Sequence, residues 1–266
     1  MLESKLQRYL DHDSFQSSPL SELLPSPPGV PALEDAIAPC HGEWVISQDL
    51  ARLLAQIVLT YKPRNILEFG AGSSSRILAR SLALLGRGQL TSLEQNPQWC
   101  QAAWHEIKTL PEVDCKLLHA IPRLRWSVTG LHYMFWGQRH EIQKRGAYDL
   151  VLVDSPQYFF GREGAMPLIY AHLQPKALII LDDAARLEEQ GVLWRWLHAY
   201  PGLRLLYFDA HFGLGKGIGI LQLEKHQAPQ GHPLSWISNL GHLIYLFLQC
   251  PDFWRLRRQE LAPKDA

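Results

Sequence analysis

The stretch Asn65-Ile66-Leu67-Glu68-Phe69-Gly70-Ala71-Gly72-Ser73-Ser74-Ser75 decides the fold. A short apolar-biased strand runs into two glycines and a cluster of small residues, and Leu78, Leu82 and Leu85 then follow at helical spacing. This is one βα unit.

Similar units flank it. Upstream, Leu50, Leu53, Leu54, Ile57 and Val58 fall at i, i+3, i+4, i+7 and i+8, which predicts a helix with Ser47 as its N-cap. Downstream, residues 89–93 form a strand ending in Glu94, with Asn96 and Pro97 as N-cap and first residue of the next helix, and residues 115–118 form a third strand. Residues 149–153 and 177–181 are unbroken apolar runs, as central parallel strands covered on both faces require, and they end in Asp154 and in Asp182-Asp183. Leu193, Trp196, Leu197 and Tyr200 mark a helix, and residues 203–208 and Ile218–Leu223 are late strands joined by a loop holding Gly213, Gly215 and Gly217. The alternation predicts an α/β fold, a Rossmann-like, doubly wound, mostly parallel seven-stranded sheet with helices on both faces.

The expected organisation is an N-terminal arm over residues 1–43, one domain over 44–225 and a helical C-terminal extension over 226–266. The arm is rich in serine and proline, as in Ser26-Pro27-Pro28-Gly29. With 266 residues, 47% of them hydrophobic, the composition excludes a disordered chain, a collagen and a membrane bundle. Its 26 Lys+Arg balance 26 Asp+Glu, so no field collects a polyanion and no nucleic-acid partner is expected. Cys40, Cys100, Cys115 and Cys250 are scattered without a C-x-x-C pair, which indicates neither a zinc knuckle nor a disulfide framework. These thiols suit a reducing compartment, and Met1-Leu2-Glu3-Ser4-Lys5 opens no apolar signal core, so the expected location is cytoplasmic. The longest apolar run, residues 243–248, is far short of the roughly 18 residues a membrane span needs.

In a doubly wound sheet, ligands sit outside the carboxyl ends of the strands, and here those ends carry Glu68, Gly70, Gly72, Glu94, His119, Asp154, Asp182 and Asp183. Glycines let backbone approach a ligand, and an acid at the end of the next strand is placed to accept both hydroxyls of a ribose. A nucleoside-bearing cofactor follows. Glu68, two residues before Gly70, repels phosphate and suits a cationic ligand such as the sulfonium and amino group of S-adenosylmethionine. The third glycine of a G-x-G-x-x-G turn is replaced by Ser75, and no Walker lysine follows. A nicotinamide-dependent oxidoreductase is therefore disfavoured.

The residues Ile66-Leu67-Glu68-Phe69-Gly70-Ala71-Gly72-Ser73-Ser74, Leu93-Glu94-Gln95-Asn96-Pro97 and Tyr148-Asp149-Leu150-Val151-Leu152-Val153-Asp154 resemble the class I S-adenosylmethionine-dependent methyltransferases. The resemblance covers residues 44–224. It implies that Glu68, Gly70, Gly72, Ser73 and Ser74 cradle the methionine portion and that Glu94, beside Gln95, grips the ribose. It also implies that His119 or Ala120 lies by the adenine, with Asp154 near the methyl group and the acceptor. The third glycine of that family's motif is Ser74 here.

A finer similarity is to the O-methyltransferase branch that includes catechol O-methyltransferase, whose acids after the fourth and fifth strands bind Mg²⁺. It implies Asp154, Asp182 and Asp183 as metal ligands, with Asn at the last position in that branch. The base lysine of that branch has no match, because Ser155-Pro156-Gln157-Tyr158 stands there. The chain is equally similar to methyltransferase-like proteins of glycan synthesis that carry an Asp-Gly/Ser/Ala-Pro motif and a later arginine, here Asp154-Ser155-Pro156 and Arg162. Together these imply transfer of a methyl group to a hydroxyl on a small molecule or a sugar or glycan precursor.

Each of these residues also has a plainer reading. Asp154, Asp182 and Asp183 serve as base and metal ligands, or they cap the turns that follow. Asp183 and His211 join Asp154 as catalytic candidates, His211 because an imidazole titrates near neutrality. Residues 122–145 hold Trp126, His132, Tyr133, Phe135 and Trp136 among Arg123, Arg125 and Arg139, which suits stacking on a ring or sugar, or a helix with a buried aromatic face. The tail over 235–249, with Trp236, Ile237, Leu240, Leu243, Ile244, Leu246 and Phe247, and with Trp254, Arg255, Arg257 and Arg258 beyond it, reads as an interfacial membrane helix, a homodimer contact or simple packing. The competing function is a non-catalytic scaffold in a biosynthetic complex that keeps the fold.

Overall fold

Alternating strand and helix signals become a single seven-stranded sheet. The computed structural model describes residues 19–24, 30–37, 46–156, 160–231, 236–237, 239–241 and 244. Ser26-Pro27-Pro28-Gly29, Cys40, Gln157, Tyr158, Cys250 and the tail beyond residue 244 lie outside the described residues. The first elements are helices α1 (Leu20–Leu23), α2 (Val30–Ile37) and α3 (Gln48–Tyr61), then β1 (Asn65–Phe69), α4 (Ser73–Leu84), β2 (Gly88–Glu94), α5 (Gln101–Ile107) and β3 (Val113–His119). A hairpin of β4 (Arg123–Ser127) and β5 (Gly130–Met134), a short turn of helix at Trp136–Gln138 and α6 (Arg139–Arg145) lead to β6 (Tyr148–Val153). There follow α7 (Ala165–Ile169), β7 (Leu173–Asp182), α8 (Leu187–Ala199), β8 (Leu203–Asp209) and β9 (Ile218–Leu223).

The strand order is β3-β2-β1-β6-β7-β9-β8. Pairs β1/β2, β2/β3, β1/β6 and β6/β7 are parallel, and β9 runs antiparallel to both of its neighbours. The short glycine-bearing connection from β8 forces that reversal, because a parallel return needs a longer crossover. Order reverses between β1 and β6, so the switch point of the doubly wound sheet lies at the carboxyl ends of these two strands.

Successive side chains of the central strands alternate between two apolar layers. Leu67, Phe69, Val151, Val153, Ile179 and Leu181 pack with Met166, Ile169, Leu193 and Trp196. Ile66, Leu150, Leu152, Leu178 and Ile180 pack with Leu54, Ile57, Val58, Leu78 and Trp104 on the other face. Ser47 caps α3 as expected, its hydroxyl accepting from Leu50 N–H at 3.1 Å, an interaction worth about 1 kcal/mol.

Two local expectations are corrected. The helix after β2 begins at Gln101, not at Asn96-Pro97. Asn96 instead closes a turn: Trp99 N–H donates to its carbonyl at 3.0 Å and Gln98 N–H to its side-chain oxygen at 3.4 Å. Residues 122–145 are not one aromatic-faced helix. Their first half pairs Arg123 with Met134 and Ser127 with Gly130, and only the Trp136–Gln138 turn and α6 are helical. The described part of the tail backs this hairpin. Trp236 stacks on Trp126 at 5.4 Å and donates to the Val128 carbonyl at 3.1 Å, while the buried Asn239 accepts from Leu131 N–H at 3.0 Å. Ile237, Leu240 and Ile244 stay exposed. Among the described residues, no helix is long and apolar enough to cross a membrane.

Candidate active site

The glycine turn satisfies its own N–H groups. Gly70 N–H donates to the Leu93 carbonyl at 2.8 Å, Ala71 N–H to Glu94 Oε2 at 3.0 Å and Gly72 N–H to Ser75 Oγ at 3.0 Å. Gly70 has φ +98°, and a Cβ there would meet the Ser155 Cβ at 2.9 Å, so the turn and the end of β6 touch only because this position lacks a side chain.

Glu68 lies fully buried under this turn. Three hydroxyls donate to its carboxylate: Ser74 to Oε1 at 2.5 Å, and Ser75 and Ser92 to Oε2 at 2.5 and 2.6 Å. Burial pushes its pKa up to about 7, against the pull of those hydroxyls. Glu68 thus braces the turn from beneath instead of facing a cationic ligand as expected, and Ser74 is spent on it and not on the cofactor. Ser73 accepts from Ile46 N–H at 3.0 Å, which ties the approach to α3 across the turn.

Glu94 ends β2 beside the turn. Its Oε2 takes Ala71 N–H and its Oε1 takes Asn96 N–H at 2.7 Å, which fixes the plane of the carboxylate. The Gln95 backbone N–H adds to this hold, and the carboxylate, with roughly four lone-pair sites, keeps room for a further donor. Burial raises its pKa to about 7. His119 stands opposite Glu94 in the strand register, and its Nε2 lies 3.0 Å from the Gln95 carbonyl. Gln138 donates to the His119 carbonyl at 2.6 Å and so brings the residues after the hairpin to this end of the sheet.

At the ends of β6 and β7, one carboxylate oxygen each from Asp154, Asp182 and Asp183 lie within 4.8 Å of one another. Asp154 is held at the switch point by its N–H, which donates to the Phe69 carbonyl at 2.9 Å. Arg162, 3% exposed, enters the cluster: its Nη2 lies 2.8 Å from both Asp154 Oδ1 and Asp183 Oδ2, and its Nη1 donates to the Asp182 carbonyl at 2.5 Å. Behind it, Glu189 of α8 places Oε1 3.7 Å from Arg162 Nε, and Arg186 reaches Asp183 Oδ2 at 3.0 Å. Burial raises the pKa of Asp154 against the opposing pull of Arg162, and that of Asp182 with the charge of Asp183 adding to it. α8 is preceded by Arg186 with no side-chain cap, so none of the three acids caps that helix: Asp154 and Asp183 serve in ion pairs with Arg162, while the Asp182 carboxylate takes the Asp183 backbone N–H.

The fold therefore brings together Glu68, Gly70, Gly72, Ser73, Ser74, Glu94, Gln95 and His119 on one side of the switch point, and Asp154, Asp182 and Asp183 on the other. His211 is apart from them. It is exposed beyond β8, the edge strand, and Asp209 pairs with Ile218 and Ile218 with Asp182, so the strand it follows ends two strand spacings from Asp182. Sequence reading passed over Ser92, whose signal was a hydroxyl in an otherwise apolar strand, and Glu189, which reads as an ordinary acid in the first turn of a helix.

The residues at the turn fit S-adenosylmethionine. They offer the fixed carboxylate of Glu94, backbone in close approach and no spare N–H at Gly70, Ala71 or Gly72 for a pyrophosphate. The acid cluster fits a divalent ion less well, because a guanidinium already lies between Asp154 and Asp183.

Comparisons with known proteins give likeness at low identity. No protein-family profile matches the chain, and no curated protein matches it. Among solved structures, a putative O-methyltransferase from Klebsiella pneumoniae is 20% identical, with 77% of this chain and 94% of that one covered at a TM-score of 0.46. An O-methyltransferase from Bacillus cereus in complex with SAH is 17% identical, covering 84% of this chain and all (100%) of that one at 0.48. The O-methyltransferase TomG from Streptomyces achromogenes, involved in tomaymycin synthesis and solved with SAM, is 18% identical, covering 77% and 94% at 0.47.

Proposed function

We propose that the chain is an S-adenosylmethionine-dependent O-methyltransferase acting on a hydroxyl of a small molecule or a sugar or glycan precursor. One observation carries the cofactor: the N–H groups of Gly70, Ala71 and Gly72 are all bonded within the protein, and the Glu94 carboxylate stands fixed beside them. A pyrophosphate needs free N–H groups at this turn. The hydroxyls of a ribose need an acceptor such as Glu94.

When bound, S-adenosylmethionine supplies an electrophilic methyl group on a sulfonium. Glu94 holds the ribose hydroxyls in a plane set by Ala71 and Asn96. Asp154 is the most exposed of the three clustered acids, and its Oδ1 is fixed by Arg162, so it accepts the proton of the acceptor hydroxyl as that oxygen takes the methyl group. Alignment of the hydroxyl in line with the methyl carbon contributes about 7–11 kcal/mol of barrier reduction in favourable systems. The Trp136–Gln138 turn, brought to this edge by the bond of Gln138 to the His119 carbonyl, offers the Trp136 ring with the Arg139 guanidinium 5.1 Å from it, suited to a sugar or ring acceptor. The exposed Ile237, Leu240 and Ile244 support a contact surface on the tail, toward a second copy of the chain or a membrane face.

Calorimetric titration with S-adenosylhomocysteine, with NADH as the control ligand, tests the cofactor. Micromolar binding of S-adenosylhomocysteine but not of NADH is expected, with severe loss in Glu94→Ala. Binding of NADH alone refutes the proposal. Methylated product from a panel of sugar and phenolic acceptors, read by mass spectrometry, then separates an enzyme from a scaffold.

A further inference from the structure

We propose that the guanidinium of Arg162 takes the place a divalent cation would take among Asp154, Asp182 and Asp183, so that the cluster is a metal-independent site in which Arg162 positions Asp154. The inference rests on reading this edge as the methyl-transfer site, and its test reads metal occupancy separately from cofactor binding.

The geometry is that of a filled position. A magnesium ion bridging Asp154 Oδ1 and Asp183 Oδ2 would bond each at about 2.0–2.1 Å. The space between those two oxygens holds Arg162 Nη2, 2.8 Å from both. The guanidinium cannot simply swing away. Its Nη1 is bonded to the Asp182 carbonyl, and the side chain is 3% exposed. Glu189 backs it, 1% exposed and with neither carboxylate oxygen hydrogen-bonded among the described residues, at 3.7 Å from Nε. Four carboxylates thus surround one buried guanidinium, with Arg186 as a second cation at the rim.

The chemistry differs in kind from a metal's. An arginine charge is permanent, since its pKa exceeds 12, and neither a chelator nor a change of pH removes it. Bonded to Asp154 by a charge-assisted hydrogen bond, it fixes the carboxylate that faces the acceptor and offers no open coordination position of its own. Taking Arg162 away leaves four carboxylates without their buried counter-charge, and such a cluster gathers an external cation.

The probe is Mn²⁺ alone, read by loss of the free-ion electron paramagnetic resonance signal and by the melting temperature of the full chain. The wild type is expected to bind no stoichiometric Mn²⁺ in the micromolar range and to melt at the same temperature in Mn²⁺ as in EDTA. Arg162→Met is expected to bind Mn²⁺ at least about tenfold more tightly than the wild type, and Arg162→Lys, which keeps a cation, to show no such gain. Stoichiometric micromolar Mn²⁺ on the wild type, lost in Asp183→Asn, overturns the proposal, as does a rise of the wild-type melting temperature with Mn²⁺. If Arg162→Met does not fold, the two wild-type measurements decide. S-adenosylhomocysteine binding in EDTA is read in parallel: its absence refutes the cofactor assignment and leaves the Mn²⁺ result standing.

Discussion

Glu68 and Ser92 face each other across two parallel strands, and the Ser92 hydroxyl donates to Glu68 Oε2 at 2.6 Å in a region with no exposed surface. A carboxylate in the middle of a sheet is costly unless its oxygens are bonded, and this pair, with Ser74 and Ser75, is what lets an acid sit beneath the glycine turn. Ser92→Ala is therefore expected to lower stability by about 0.5–1.5 kcal/mol, the net value of one hydrogen bond, because Ser75 still donates to the same oxygen. Chemical denaturation of the variant measures it.

Stability should fall as pH rises through neutrality. Burial lifts the pKa of Glu68 and of Glu94 from 4.5 to about 7, and that of Glu189 likewise to about 7. Between those values the folded chain holds protons that the unfolded chain has released. The stabilisation from these groups is complete below the unfolded value and is lost as pH rises through the folded one. Melting temperature is expected to be higher near pH 5.5 than near pH 8 on this account, and Glu68→Gln should flatten the profile. An unchanged slope in that variant would remove Glu68 from the explanation.

Gly70→Ala combines two penalties. The left-handed φ costs a non-glycine residue about 1–2 kcal/mol, and the new methyl meets the Ser155 Cβ at 2.9 Å. The variant should melt lower and lose S-adenosylhomocysteine affinity together. Gly70→Ala combined with Ser155→Gly should recover the part due to collision and not the part due to φ, which differential scanning calorimetry of the pair resolves.

The tail is expected to hold the hairpin in place. Asn239 Oδ1 accepts from Leu131 N–H, and its Nδ2 meets His132 Nδ1 at 3.0 Å. Asn239→Ala should leave the part-buried Leu131 N–H and the buried His132 Nδ1 without this partner, at a cost of about 1–3 kcal/mol, and should accelerate hydrogen exchange at the Leu131 amide. Protection equal to the wild type would show that the hairpin stands without the tail.

Much of the sheet was legible because its strands are buried on both faces and so read as apolar runs. β1 and β9 fall where the residues placed them, and Glu94, Asp154 and Asp182 each close a strand. The hairpin was not legible, because Trp126, His132 and Tyr133 among arginines carry neither a clean period of two nor one of 3.6. Asn96-Pro97 misled because the signal for an N-cap and the signal for a turn are the same residue types.

Local order and spacing along the chain determined the strand–turn–helix units and, through them, which residues end at the carboxyl edge. These depend on periodicity and on the conformational freedom of glycine, both of which act within a few residues. The use of each acid was decided only by tertiary structure. Glu68 turned inward to three hydroxyls drawn from two elements, Glu94 was fixed by backbone on either side of it, and Asp154 and Asp183 came to share one arginine. A carboxylate in the sequence carries no record of its partner, because the cost of burying charge is offset by whichever donor the fold brings within about 3 Å.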